Sequence, residues 1–292
     1  MSTSSESPAT HVAVIGAGEM GAAVARRIHE CGACVMTSLA GRSAASVERV
    51  KRAGIEVIND EAILANEADF VMSIVPPGVA IEVAHRYRDV LRQSPRKPAF
   101  VECNAIAPST AREIERILDG TRVIDAGIIG GPPVAGTQVP SKGPRFYASG
   151  QFAPELMRLA KYGLDIAVLD GPIGAASALK LSYAGMTKGF TAIATAMLHA
   201  ASREGLAEAL RAELMRTQPN FLARAERSIP DMMPKAYRWV AEMEQIAEYI
   251  GDDREGAAIY GGAARLYEWI ASELARDASP DLAMLLDFCR KK

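Results

Sequence analysis

The stretch His11-Val12-Ala13-Val14-Ile15-Gly16-Ala17-Gly18-Glu19-Met20-Gly21 decides the fold. Its first five residues read as a buried strand, and residues 18–30 continue as a helix. A Gly-x-Gly-x-x-Gly loop carries weight only in that strand-to-helix context, which is the one it has here. Gly16 permits the tight turn, Gly18 lets the backbone approach a pyrophosphate, and Gly21 lets helix and strand pack closely. The helix N-terminus adds free N–H groups and a partial positive charge. Gly16, Ala17, Gly18, Glu19, Met20 and Gly21 are therefore candidate dinucleotide-binding residues.

Outward from this loop, short β-rich runs alternate with helical patterns. Strands are expected at 34–38, 55–58, 70–75, 99–102, 122–126, 146–149 and 166–169, with a helix over 44–52. The run Phe70-Val71-Met72-Ser73-Ile74-Val75, stopped by Pro76-Pro77, suits a parallel strand covered on both faces. This alternation predicts an α/β Rossmann domain with a doubly wound, mostly parallel sheet. After Asp170-Gly171-Pro172 the texture changes: residues 175–204 form one long helical pattern. The remainder reads as helices broken by Pro219, Pro230, Pro234 and Pro280. The expected organisation is a polar, disordered tail over 1–10, a nucleotide-binding domain over 11–170, and an all-α domain over 171–292.

Composition sets limits on function. Hydrophobic residues make up 49% of the 292, charged residues 23%, and the formal net charge is -2. That balance supplies no basic field for nucleic acid or an anionic membrane, so neither is expected as a partner. The opening residues have no apolar core, and no apolar run reaches the roughly 18–20 residues of a membrane span. A cytoplasmic protein is expected. Cys31 and Cys34 have redox-pair spacing, but no second Cys or His pair completes a zinc site, so no metal is expected and buried small side chains are the preferred reading.

The second strand bears on the dinucleotide's identity. NAD enzymes usually place an acidic residue at its end for the ribose 2′-hydroxyl. No acid occurs from Cys31 through Val47; Gly41-Arg42-Ser43 stands there instead. A guanidinium with a neighbouring hydroxyl suits a 2′-phosphate, so Arg42 and Ser43 point to NADP, with a solvated helix start as the plainer reading of Arg42.

Four stretches together carry a resemblance: the glycine loop, Val75-Pro76-Pro77, Asp125-Ala126-Gly127-Ile128-Ile129-Gly130-Gly131, and Gly174-Ala175-Ala176-Ser177-Ala178-Leu179-Lys180. The chain resembles the β-hydroxyacid dehydrogenase superfamily, which contains 3-hydroxyisobutyrate and 6-phosphogluconate dehydrogenases. Its helical half looks closer to an uncharacterised branch, through Ser177 to Gly189 and the later Arg238-Trp239-Val240-Ala241-Glu242-Met243-Glu244.

The resemblance implies hydride transfer between NADP(H) and a small 3-hydroxy acid or related alcohol, with a carboxylate-bearing substrate. Lys180 matches the family's catalytic lysine, which moves a proton to and from the reacting oxygen. Backbone N–H groups at Gly130 and Gly131 would hold the substrate carboxylate, unless they form a plain turn. Val75, Pro76 and Pro77 would line the cofactor groove, and Arg238 falls near the family's second basic position by the cofactor.

Two departures stand out. The family's asparagine four residues past the lysine is Ala184 here, leaving Tyr183, on the face of Lys180, as a substitute donor to the substrate. Asn104 stands where the family often has serine; it would bind the nicotinamide carboxamide or the substrate, or else stabilise a turn. The small-residue stripe Gly185, Gly189, Ala192 and Ala196 reads as helix packing, and a homodimer is expected. Imine reduction and non-catalytic NADPH sensing are the competing functions; Ala184 keeps the first open and Lys180 argues against both.

Overall fold

The computed structural model describes residues 9–136, 143–251, 254–276 and 279–290. The chain divides into two compact units, one ending at Lys180 and one beginning at Leu181.

The first unit runs β1 (His11–Ile15), α1 (Glu19–Glu30), β2 (Cys34–Thr37), α2 (Ala44–Arg52), β3 (Glu56–Val57), α3 (Glu61–Glu67), β4 (Phe70–Ser73), α4 (Ala80–Gln93), β5 (Ala99–Glu102), α5 (Pro108–Ile117), β6 (Arg122–Ile129), β7 (Arg145–Ser149) and β8 (Asp165–Val168). A 3-10 segment, Ala153–Tyr162, joins the last two strands. The sheet order is β3-β2-β1-β4-β5-β6-β7-β8, parallel throughout except where β7 meets β6. This is the doubly wound sheet that the alternating pattern predicts. Local chemistry starts the helices: Asp60 accepts from the N–H groups of Ala62 and Ile63 at the head of α3, and Pro108 opens α5.

Each central strand buries both faces. Val12, Val14, Met72, Val101 and Ile124 belong to the core on one side; Ala13, Ile15, Val71, Phe100 and Val123 belong to the core on the other. β6 continues to Ile129, three residues beyond the expected 122–126, because β7 pairs with it from Asp125↔Ser149 to Ile129↔Arg145.

α6 (Ala175–Arg203) begins in the first unit and continues into the second. The second unit adds α7 (Ala207–Thr217), α8 (Pro219–Met232), α9 (Ala236–Ile250), α10 (Glu255–Leu274) and α11 (Pro280–Arg290). α9 packs on α10, and α8 on α7 and α11. A Cβ built on Gly185 or Gly189 would come within 3.0 and 3.2 Å of the Tyr260 side chain of α10, so the small-residue stripe makes room for an aromatic ring. Lys188 pairs with Glu242 of α9 and lies 4.7 Å from the Trp239 ring centroid.

Several expectations need correction. Cys34 is exposed, at the first position of β2, so the reading of both cysteines as buried side chains fails; Cys31 is half-buried. Pro230 does not break a helix: it sits in the last turn of α8, which continues past it to Met232. Of the tail expected over 1–10, residues 1–8 lie outside the described residues. Thr10 is buried, and its N–H donates to Tyr162 Oη at 3.1 Å. Among the described residues, no helix is long and apolar enough to cross a membrane.

Candidate functional site

The glycine loop joins β1 to α1 with three distinct requirements. Gly16 has φ +117°, and a Cβ there would lie 2.0 Å from the Ile74 carbonyl oxygen. A Cβ on Gly21 would lie 1.9 Å from the Gly16 oxygen. Both glycines are thus demanded by the protein's own packing. Gly18 differs: it is exposed, and its Cβ would meet nothing within 4 Å. Gly18 is also the N-cap of α1 and offers no side-chain cap to the first N–H groups of the helix. Open space over uncapped helix donors is the cradle a pyrophosphate fits. Glu19 and Met20 form the first turn of α1, while Ala17 is buried.

Arg42 is exposed in the turn after β2, where its N–H donates to Leu39 O at 3.0 Å. Ser43 caps α2, its Oγ accepting from Ser46 N. Packing adds a cation that the sequence reading passed over. Arg49, in the last turn of α2, donates from Nη1 to Ala17 O in the glycine loop at 3.0 Å and to Ser46 Oγ at 3.3 Å. No motif marks Arg49; only the seating of α2 brings it to the loop.

The carboxyl ends of the strands form a second feature. Register places Ser73, Glu102, Asp125 and Ser149 in one line across β4, β5, β6 and β7. All four are buried. Asp125 accepts four hydrogen bonds: from Ser149 Oγ, from the N–H groups of Gly174 and Ser177, and from Ser177 Oγ. Ser149 Oγ accepts in turn from Ala176 N at 3.0 Å. Two strands therefore cap the start of α6 from outside the helix. Gly127 lets it lie flat, since a Cβ there would come within 2.7 Å of Ala176 O and 3.1 Å of Lys180 Cβ.

Five residues past Ala175, Lys180 Nζ reaches the Cys103 carbonyl oxygen at 3.4 Å. Asn104 is buried, and both ends of its amide are engaged. Its oxygen accepts from Val75 N at 2.6 Å, and its nitrogen donates to Ser73 Oγ at 3.1 Å. The turn-stabilising reading of Asn104 thus has direct geometry, tying the loop after β5 to the Val75-Pro76-Pro77 segment after β4. Pro76 is exposed and Pro77 starts a 3-10 turn. Asn104 N also donates to Glu102 Oε1 at 2.8 Å. Burial pushes the Glu102 carboxyl up to about 8; the Asn104 N–H opposes this, Asp125 adds to it, and Lys180 opposes it.

Gly130 and Gly131 follow directly on β6 and are exposed. Gly130 has φ +127° and packs on Pro144, whereas a Cβ on Gly131 would meet nothing within 4 Å. The segment that follows is held by α1: Arg26 donates to Pro133 O at 3.0 Å, and Arg27 to Val134 O at 2.9 Å. These two arginines escaped the sequence reading, because they lie beyond the glycine motif.

The remaining candidates belong to the second unit. Tyr183 is exposed on α6, and Ala184 beside it is buried. Arg238 is exposed near the start of α9, its guanidinium 5.8 Å from the Tyr237 ring centroid.

Comparison with known proteins agrees with this architecture. Residues 11–151 match the NAD binding domain of 6-phosphogluconate dehydrogenase, and residues 201–270 match a domain of unknown function, DUF1932. An uncharacterised 28.5 kDa protein of Methanothermus fervidus is 29% identical over 184 residues, covering 63% of this chain and 68% of that one. A conserved protein of unknown function, described as structurally similar to 3-hydroxyacid dehydrogenases, aligns with a TM-score of 0.69 at 29% identity. That alignment covers 90% of this chain and 97% of the other. Mycobacterium tuberculosis 3-hydroxyisobutyrate dehydrogenase, solved with L-serine, aligns with a TM-score of 0.70 at 20% identity, covering 97% and 100%. Along the sequence, a Rossmann-type NAD(P)-binding domain is thus followed by a helical region that contains the DUF1932 match. These matches support an NAD(P)-dependent oxidoreductase.

Proposed function

We propose that this chain, a 6-phosphogluconate dehydrogenase-type NAD-binding domain followed by a DUF1932 domain, transfers hydride between NADP(H) and a small 3-hydroxy acid or related alcohol. The observation that carries this is the capping of α6 by Asp125 and Ser149, which sets Lys180 Nζ 3.4 Å from the Cys103 carbonyl, just past the carboxyl end of β5. Ligands of open α/β sheets bind at that edge.

The bound cofactor supplies the hydride acceptor or donor. The protein's own part is the proton. In oxidation, the substrate O–H bond breaks and its proton passes to Lys180 Nζ as the carbon loses hydride; in reduction, the ammonium returns it. Gly130 and Gly131 offer backbone N–H groups to a substrate carboxylate, and Tyr183 offers a hydroxyl in place of the amide absent at Ala184. Val75, Pro76 and Pro77 line the nicotinamide side, with Asn104 holding that segment in place. Arg238 is a further basic residue that the family resemblance assigns to the cofactor.

NADP is favoured over NAD because Arg42 and Ser43 stand at the end of β2 without an acid, and Arg49 adds a second guanidinium by the glycine loop. Met186, Ile193 and Met197 leave an exposed apolar stripe along α6, which supports a homodimer. A cytoplasmic location is part of the same reading.

Lys180→Met tests the reading against a panel of 3-hydroxy acids, ketoacids and cyclic imines. Turnover of hydroxy acids should fall about 10²–10⁴-fold while NADPH still binds. Unchanged turnover removes Lys180 from the chemistry. Turnover of imines alone selects reduction of C=N bonds, the reading that Ala184 keeps open. NADPH binding with no turnover of any panel member selects a sensing protein.

A further inference from the structure

We propose that Glu102 is a positioning residue that controls how firmly Lys180 holds its proton. The proposal rests on the reading of Lys180 as the proton-transfer group, and deepens it. Within the buried row across the sheet, Asp125 accepts four hydrogen bonds and Ser149 both donates and accepts. Glu102 is the exception. Its Oε1 accepts from Asn104 N, but its Oε2 is shielded from solvent and has no hydrogen-bond partner among the described residues. A buried polar atom left unmade costs about 1–3 kcal/mol. An apolar side chain at the end of β5 would avoid that cost, so the carboxyl calls for a reason other than packing.

The groups that face it supply one. Asp125 stands opposite it in register on β6, and Lys180 Nζ reaches from α6 to the carbonyl of the next residue, Cys103, at 3.4 Å, with the Cys103 thiol next along the chain; Ser73, opposite on β4, does not titrate. Near neutral pH, burial beside Asp125 keeps Glu102 protonated. A neutral acid adds no charge beside Lys180, so the amine can lose and regain its proton during turnover. When Glu102 releases its own proton to solvent, the new carboxylate attracts the ammonium, and Lys180 holds its proton more strongly. The basic amine needed for oxidation is then withdrawn, while the ammonium needed for reduction persists. Glu102 would set the pH range over which oxidation proceeds, without touching substrate.

The test uses the full-length protein carrying Glu102→Gln, which copies the shape of the neutral acid and cannot ionise. Lys180 is followed by NMR of labelled lysine side chains, its signal assigned through its loss in Lys180→Met. In the native chain, the Lys180 signal should inflect near the Glu102 midpoint of about 8 as well as at its own titration. In Glu102→Gln the extra inflection should vanish, and Lys180 should lose its proton about one pH unit lower. Hydroxy-acid oxidation should then switch on at a correspondingly lower pH. Superimposable Lys180 titrations overturn the proposal. A shifted titration with turnover unaffected by Lys180→Met upholds the coupling and rejects the catalytic reading of Lys180. Should Glu102→Gln fail to fold, the inflection in the native chain decides alone: its absence overturns the proposal.

Discussion

Ser177 closes two hydrogen bonds on Asp125: its hydroxyl reaches Oδ1 at 2.6 Å, and its N–H reaches Oδ2 at 3.0 Å. A strand residue thereby does the work of a helix cap, from 52 positions away in the chain. Asp125→Ala should cost about 2–4 kcal/mol, since it strips a charge-assisted cap and leaves buried donors of α6 unmet. Ser177→Ala should cost about 1 kcal/mol. Urea unfolding measures both, and equal stabilities for the two variants would contradict the cap.

The two kinds of glycine in the dinucleotide loop should separate experimentally. Gly21→Ala drives a Cβ to within 1.9 Å of the Gly16 oxygen, so it should lower stability by about 2 kcal/mol or more. Gly18→Ala meets nothing within 4 Å and should leave the unfolding midpoint nearly unchanged. Its methyl would intrude where a pyrophosphate approaches, weakening NADPH binding about tenfold or more. Calorimetric binding beside thermal melts distinguishes them; tight NADPH binding by Gly18→Ala would place the phosphates elsewhere.

Charge at the far end of the cofactor is tested by Arg42→Ala and Arg49→Ala. Each removes a guanidinium suited to a 2′-phosphate, so each should weaken NADPH about 10–100-fold and NADH little. The double variant should come close to equal affinity for the two. Matching losses for NADPH and NADH would refute the preference.

The nucleotide-binding half was largely legible because its signals are local. A glycine loop, an apolar run ended by two prolines and a change to proline-punctuated helices can each be read within about 20 residues. The polar row could not be read in that way. Ser73, Glu102, Asp125 and Ser149 each end or interrupt a separate buried strand, and only strand register aligns them. Arg49 was hidden for a related reason: its partner, Ala17 O, is a backbone atom 32 positions away. Cys34 misled because a strand edge at the sheet's amino end leaves its first residue in solvent. Pro230 misled because a helical proline removes a single backbone hydrogen bond, which α8 tolerates close to its end.

The Glu102 carboxyl also makes stability depend on pH. Its folded-state pKa, about 8, lies above the usual carboxylate range, so the folded chain holds this proton more tightly than the unfolded chain. The contribution is fully present below the unfolded pKa of about 4.3 and is lost as pH rises through 8. Relative to Glu102→Gln, the native chain should lose on the order of a few kcal/mol between pH 5 and pH 9. Urea titrations of both proteins at pH 5, 7 and 9 provide the check. Parallel curves would mean that Glu102 is already ionised at pH 5.

Lys180 is the last residue of the first compact unit, and the caps that fix the start of its helix come from β6 and β7. The amine is therefore placed by the nucleotide-binding half. A descendant that exchanged or reshaped its helices beyond position 181 would keep the amine in register with the sheet. Evolution could then redraw the helical half while leaving the Lys180 amine where the sheet holds it.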